Sequence, residues 1–196
     1  MNIRLLLVSH ASTAALRTGR IPADDPLDAR GLAEAQAARA RLSFAGDATA
    51  FVSPAVCARE TALALGLTAT VDAALADIDC GDWQGQRLAD LAAHTPGDLA
   101  AWTHDPEAAP HGGEPFTQAQ QRIGEWLDAL DVAPDRAMAH TREVVAITHA
   151  PLIRAALVHV LGAPSAIFPR IEIAPLTVVE FQRSPLRGWT WWPASY

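Results

Sequence analysis

Two apolar runs of this chain end in histidine: LLLVSH at residues 5–10 and VVAITH at residues 144–149. Both runs are continuous rather than alternating, which is typical of parallel strands that helices cover on both faces. In an open parallel sheet, ligands bind outside the carboxyl ends of the strands. The sequence therefore predicts that His10 and His149 face each other across a crevice at one edge of a sheet.

The remaining periodicity predicts the rest of the architecture. Strands are expected at residues 3–8, 49–52, 144–148 and 176–181, and helices at 31–42, 55–65 and 151–161. A further helix follows the Gly112-Gly113 turn, where apolar residues recur at spacings of three and four. This alternation predicts an α/β fold, a single-domain three-layer α/β/α sandwich with a mostly parallel sheet over residues 1–196. The irregular stretch at about 68–113 predicts a helical insertion of two short helices over the active site, and residues 189–192 predict the second strand of a hairpin.

Composition excludes several classes of protein. The chain has 196 residues, 50% of them hydrophobic, which is long enough to bury roughly 70% of its unfolded surface. All 15 basic residues are arginine, so sites that need a lysine, such as a Walker-type phosphate loop, are excluded. The net charge of −7 argues against nucleic acid. The two cysteines form no CxxC pair, and the short N-terminal apolar run is interrupted by Arg4. A cytoplasmic protein without membrane contact is expected.

A pair of histidines at strand ends has three interpretations. With an acid nearby, the pair suits phosphoryl transfer through a phosphohistidine. Metal ligation is the competing interpretation, but it calls for a third ligand at a spacing such as HxxxH or HxH, and the chain contains neither. The third interpretation is that each histidine only ends its strand. The matched placement of His10 and His149 favours chemistry over the structural interpretation.

Five motifs, in order along the chain, resemble those of the histidine phosphatase (phosphoglycerate mutase-like) superfamily. The chain reads LVSHAST at 7–13, SPAVCARETA at 53–62, LADIDCGDWQG at 75–85, GGE at 112–114 and THAPLIR at 148–154. The corresponding family patterns are LVRHGET, SPLxRAxQTA, LxExxFGxWEG, GGES and SHGGVIR. A single motif would be weak, whereas the ordered set covers nearly the whole chain.

The resemblance implies roles for individual residues. His10 falls on the nucleophilic histidine, His149 on the histidine that donates to the transferring phosphoryl group, and Asp77 on the carboxylic general acid. Thr13 and Ala150 fall in motif positions assigned to phosphate or substrate binding. Glu114 either approaches a substrate from the glycine turn or caps the following helix through its first-turn charge. The family site requires no metal and no cofactor.

Two family residues are missing at the expected phosphate clamp. Ser9 and Cys57 stand where the family has arginines, and neither side chain offers a permanently charged, bidentate donor. The candidate replacements are Arg17, Arg20, Arg87 and His111, each of which can equally be an ordinary solvated or loop residue.

The leading hypothesis is a metal-independent phosphomonoesterase that acts on a small phosphorylated metabolite through a phosphohistidine. The alternative is a catalytically degenerate family member that binds a phospho-ligand or a protein partner, which the missing arginines favour. A phosphoglycerate mutase is a lesser alternative, because the short chain leaves little room for segments that enclose a bisphosphate. The C-terminal tryptophans are candidates either for a homodimer contact or for a sheet edge that the chain itself covers.

Overall fold

A six-stranded mixed sheet forms the centre of the computed structural model, which describes residues 2–130 and 141–193. Its strands are β1 (Ile3–Ser9), β2 (Thr49–Val52), β3 (Thr70–Val71), β4 (Arg142–Thr148), β5 (Val178–Ser184) and β6 (Gly188–Trp192). They are arranged in the order β3-β2-β4-β1-β5-β6. The first four in that order are parallel, whereas β5 and β6 are antiparallel. The mostly parallel sheet and the C-terminal hairpin are confirmed.

Seven helices accompany the sheet in the described residues. They are α1 (Ala14–Arg17), α2 (Ala29–Ala38), α3 (Val56–Ala64), α4 (Leu88–His94), α5 (Pro96–His104), α6 (Phe116–Ala129) and α7 (Ala150–Leu161). Short 3-10 turns lie at Ala73–Leu75, Gly81–Trp83 and Ser165–Arg170. None of these helices is long and apolar enough to cross a membrane.

Alternate side chains of β1 build two separate cores. Leu5 and Leu7 belong to the cluster that contains Ile123 of α6 and Ile153 of α7. Leu6 and Val8 point the opposite way, into the cluster formed with α2 and α3. Because successive strand residues face opposite sides, a continuous apolar strand needs helices on both faces. The predicted three-layer sandwich is confirmed.

The register of β1 and β4 sets the position of the two histidines. Ile3 pairs with Arg142 and Ser9 with Thr148, so the two parallel strands end at the same level. The backbone N–H of His10 then donates to the carbonyl of Thr148 at 2.9 Å. Because β1 and β4 are parallel and end at the same level, the residues that follow them, His10 and His149, are neighbours.

The insertion at about 68–113 contains the two short helices that were expected, α4 and α5, and also a short strand that was not. Thr70 pairs with Phe51, so β3 extends the parallel sheet by only two residues, too few for a visible periodicity. Ile21, Trp83 and Leu91 form a small separate core beneath the insertion. Within the insertion, the segment from Ala76 to Gln84 lies beside His10 and His149.

The C-terminal strand begins later than predicted. Residues 176–181 were expected to form it, but β5 starts at Val178, and Leu176 adopts a positive φ of 59°. Leu176 and Thr177 instead bracket Ser9, because the Leu176 N–H donates to the Ser9 carbonyl and the Ser9 N–H donates to the Thr177 carbonyl. A turn there closes the end of β1.

Candidate active site

His10 and His149 lie side by side at the carboxyl edge of the sheet. Their ring centroids are 5.0 Å apart, and the rings meet edge-on at 62°. The two residues are 6% and 2% exposed. Two buried, adjacent imidazoles form the centre of the candidate site.

Each ring is oriented by a partner at Nδ1. Nδ1 of His10 lies 2.7 Å from the Ala11 carbonyl oxygen. A carbonyl only accepts, so Nδ1 carries the proton and Nε2 keeps a lone pair. Nδ1 of His149 lies 3.2 Å from Oδ2 of Asp77, within ion-pair distance but without a well-formed hydrogen bond. Its Nε2 lies 2.8 Å from the Ser53 hydroxyl oxygen.

The surroundings set the protonation states of these groups. Burial, together with the neighbouring His149, lowers the pKa of His10 to about 4, which keeps its ring neutral near pH 7. Burial alone would raise the pKa of Asp77. The adjacent His149 and the Ile78 N–H, which donates to Oδ1 at 2.9 Å, outweigh burial and lower it. Asp77 is therefore ionised in the free protein.

Cys57 is a poor nucleophile. It lies in the first turn of α3 and is 6% exposed. Burial and the charge of Asp77 raise the pKa of its thiol to about 12, whereas nucleophilic cysteines need a lowered pKa. Its small, buried side chain behaves as an apolar residue in the first turn of α3.

A cavity of about 480 Å³ adjoins the two histidines. Four carboxylates are among its lining side chains: Asp24, Asp25, Asp77 and Asp79. Thr13, Ser53, Cys57, Cys80 and Gln84 also line it. Within residues 2–130 and 141–193, no arginine contributes to the lining. The cavity therefore combines a histidine pair with an acidic wall, in which the carboxylates stand among apolar side chains.

The structure does not bring the three candidate arginines to the cavity. Arg17 forms a bidentate ion pair with Asp28, the residue that caps α2. Arg20 donates to the Gly85 carbonyl at 2.8 Å, and its backbone forms an isolated antiparallel β-bridge with that of Arg87. Arg87 is exposed at the start of α4. Each guanidinium lies outside the cavity, so none replaces the missing clamp.

Three other predicted site residues also lie outside it. His111 is 1% exposed, its ring packs against Trp83 and Trp102, and its Nδ1 accepts from the Gly113 N–H at 3.0 Å. Glu114 pairs with a guanidinium in α6 rather than facing the cavity. Ala150 is the first residue of α7. Of the motif-derived candidates, Thr13 and Cys57 do line the cavity, whereas Ser9 is buried at the end of β1.

Arg122 of α6 supports Asp77 from behind. Its guanidinium donates to both Glu114 carboxylate oxygens, at 3.0 and 2.7 Å. It also donates to the carbonyls of Ala74 and Ala76, at 2.7 and 3.0 Å. Arg122 thus fixes the backbone that presents Asp77 and acts as a positioning residue.

Sequence reasoning missed Arg122, Ser53 and the acidic wall. Ser53 stood inside a quoted motif, which was the available signal for it. The sequence contained no local signal for Arg122, because its partners lie 8 to 48 residues away along the chain.

Three side chains at the site can hold a metal ion. His10, Cys57 and His149 each offer a ligand atom, and these atoms all lie within 4.8 Å of one another. The short-spacing motif sought in the sequence is absent, but the fold supplies the third ligand from α3.

Comparison with known proteins identifies the family. The model of the histidine phosphatase superfamily (branch 1) matches residues 5–190. A bifunctional protein of Mycobacterium tuberculosis is 30% identical over 187 residues, covering 91% of this chain and 50% of that protein. A glucosyl-3-phosphoglycerate phosphatase of Mycolicibacterium vanbaalenii is 29% identical over 169 residues, covering 82% of this chain and 75% of the relative. This chain thus spans about half the length of the first relative.

Solved structures agree with this assignment. A mycobacterial glucosyl-3-phosphoglycerate phosphatase in complex with VO3 superimposes with a TM-score of 0.85 at 30% identity, over 98% of this chain and 100% of that one. A structure described as mycobacterial hydrolase 1 gives a TM-score of 0.88 at 28% identity, with full coverage of both chains. The named relatives include phosphatases. The chain belongs to the histidine phosphatase superfamily, branch 1.

Proposed function

We propose that this protein is a phosphomonoesterase that hydrolyses a small phosphorylated metabolite through a phosphohistidine on His10, with no metal ion required. The observation that carries the proposal is the buried pair of His10 and His149, with Asp77 placed 3.2 Å from the second ring. The ordered family motifs and the phosphatase names of the relatives support it.

In the first step, the lone pair on Nε2 of His10 attacks phosphorus. An N–P bond forms while the bond from phosphorus to the ester oxygen breaks. The leaving oxygen takes a proton from the Asp77 carboxylic acid. The positive charge that develops on the phosphorylated ring is stabilised by the Ala11 carbonyl, which accepts from Nδ1 at 2.7 Å.

In the second step, water attacks the same phosphorus atom. The water gives a proton to the Asp77 carboxylate, the N–P bond breaks, and phosphate leaves with His10 restored to its neutral form. His149 and Ser53, whose Nε2 and hydroxyl oxygen lie 2.8 Å apart, are the polar groups beside the phosphoryl oxygens. Positioned donors are the main requirement, because a phosphoryl transition state spreads its charge over the equatorial oxygens.

Asp77 must be protonated for the first step, although it is ionised in the free protein. Binding of a phosphate dianion raises the pKa of Asp77 and favours its protonated form, because a like charge beside a carboxylate raises its pKa. Substrate binding therefore prepares the acid, and departure of phosphate resets it.

The cavity bears on the class of substrate. A wall with Asp24, Asp25 and Asp79 disfavours a ligand that carries further negative charge next to its phosphate. The glucosyl-3-phosphoglycerate of the named relatives has such a charge. We therefore propose a monoester whose remaining part is neutral or cationic.

Hydrolysis of an aryl phosphate, measured with a chelator present, tests the proposal. We expect turnover by the wild-type protein and its loss to background in His10→Ala. The matched control is His94→Ala, at an exposed histidine of α4 outside the cavity, which should retain full activity. Activity in His10→Ala equal to wild type would contradict the phosphohistidine step.

A second candidate function is binding of a phospho-ligand without turnover. The observation that favours it is the described cavity lining, which contains no arginine where the family uses two. Binding of phosphate without hydrolysis of aryl phosphates or of a metabolite panel would support it. A cytoplasmic location and a homodimer stay predictions from the sequence.

A further inference from the structure

The cluster of His10, Cys57 and His149 has the composition of a transition-metal site. The three ligand atoms lie within 4.8 Å of one another, and all three residues are buried. In a tetrahedral zinc site, N and S ligand atoms are about 3.4–3.6 Å apart, given bonds of about 2.0 and 2.3 Å. A closure of at most about 1.2–1.4 Å between ligand atoms converts the observed cluster into that geometry.

Each imidazole has an acceptor oxygen beside its Nδ1, as metal-binding histidines usually do. A histidine that binds a metal through one nitrogen normally donates its other N–H to a carbonyl or a carboxylate. Nδ1 of His10 has the Ala11 carbonyl at 2.7 Å, and Nδ1 of His149 has the Asp77 carboxylate at 3.2 Å. The Nε2 atoms are thus the ligand atoms, and the Ser53 hydroxyl, now 2.8 Å from one of them, gives way to the ion.

The charge around the cluster favours a cation. Asp24, Asp25, Asp77 and Asp79 line the same cavity, and no arginine among the described residues opposes them. A family arginine at position 57 would repel a metal ion. Its replacement by cysteine removes that positive charge and adds a sulfur ligand at the same point.

We propose that His10, Cys57 and His149 form a site for a borderline-soft divalent cation, Zn²⁺ first among them, with the fourth position open to the cavity. Binding exchanges the thiol proton for a metal–sulfur bond and releases that proton to solvent. The bound ion uses the Nε2 lone pair that attacks phosphorus. Metal binding and ester hydrolysis therefore exclude each other, and this consequence alone rests on the proposed function.

Titration of the chelator-treated wild-type protein with Co²⁺ tests the site directly. We expect a thiolate-to-cobalt charge-transfer absorption that saturates at one ion per chain and disappears when Zn²⁺ is added. Wild-type protein with no such absorption would overturn the proposal without any variant.

Two cysteine variants locate the sulfur ligand. Cys57→Ser should lose the charge-transfer absorption, and Cys80→Ser should keep it. Cys80 is the matched control because it is half-buried and lines the same cavity but is not part of the cluster. An absorption that survives Cys57→Ser would overturn the proposal. Circular dichroism of each variant checks that the fold is kept.

The activity measurement separates this inference from the proposed function. Zn²⁺ should abolish aryl phosphate hydrolysis, and a chelator should restore it. Saturating Zn²⁺ that leaves hydrolysis unchanged would refute the shared use of His10. A protein that binds Co²⁺ through Cys57 and hydrolyses no ester would support the metal site and refute the phosphatase.

Discussion

The two sides of the cavity differ in what they retain of the family site. One side carries His149 between His10, whose ring centroid is 5.0 Å from its own, and Asp77, whose Oδ2 lies 3.2 Å from its Nδ1. The other side, where two arginines would hold phosphate in the family, presents Cys57 and the carboxylates of Asp24, Asp25 and Asp79. Under the proposed mechanism the groups that make and break bonds are retained, whereas no arginine of the described residues lines the side where a phosphate clamp is expected. Chemistry and substrate affinity are therefore separable here.

The largest expected effect comes from the catalytic side. Asp77→Asn keeps the shape of the side chain but removes its proton, so alkyl phosphates with poor leaving groups should be hydrolysed about 10²–10⁴-fold more slowly. Activated aryl phosphates need little protonation and should slow by less than ~10-fold. Hydrolysis rates of a series of esters give the comparison. Equal slowing across the series would remove Asp77 from the acid role.

An intermediate effect is expected when a cation is placed on the clamp side. Cys57→Arg should raise kcat/KM for an aryl phosphate by about 10²-fold, the typical size of one transition-state donor. The matched control is Cys80→Arg, which makes the same change of net charge at a half-buried position of the same cavity.

The pair of arginine variants distinguishes position from charge. A similar gain in both would mean that net charge alone limits the site. A loss in Cys57→Arg, with thermal unfolding unchanged, would mean that the site has been rebuilt around donors other than a guanidinium.

The smallest effect is expected from one carboxylate of the acidic wall. Asp25→Asn keeps an oxygen acceptor for the Ala23 N–H, which donates to it at 2.9 Å, and removes one negative charge. KM for an anionic ester should fall about threefold at low salt and less at high salt. Asp47→Asn is the control, because Asp47 is exposed in the loop before β2, outside the cavity. An identical change of KM in both variants would mean that the net charge of the protein, and not the position of Asp25 in the cavity, causes the effect.

The parts of the fold that sequence could predict are those that local periodicity encodes. The apolar run of β1 and that of β4 are each long enough to specify a buried strand, and both end in histidine. The two-residue strand β3 was missed, because two residues have no period. Strand β5 starts later than predicted, because Leu176 adopts a turn conformation in which its N–H donates to the Ser9 carbonyl. Ser9 is far away in the chain, so no local pattern encodes this turn.

The sequence by itself determined the sandwich, the meeting of His10 and His149, and the absence of the two family arginines. Only the tertiary structure decided which partners the remaining arginines take. Arg17 and Arg122 are held by the carboxylates of Asp28 and Glu114, so the one is unavailable to the cavity and the other supports it from behind. The physical reason is that strand and helix patterns are local. A long charged side chain instead finds its partner by competition among groups that only the folded chain brings within reach.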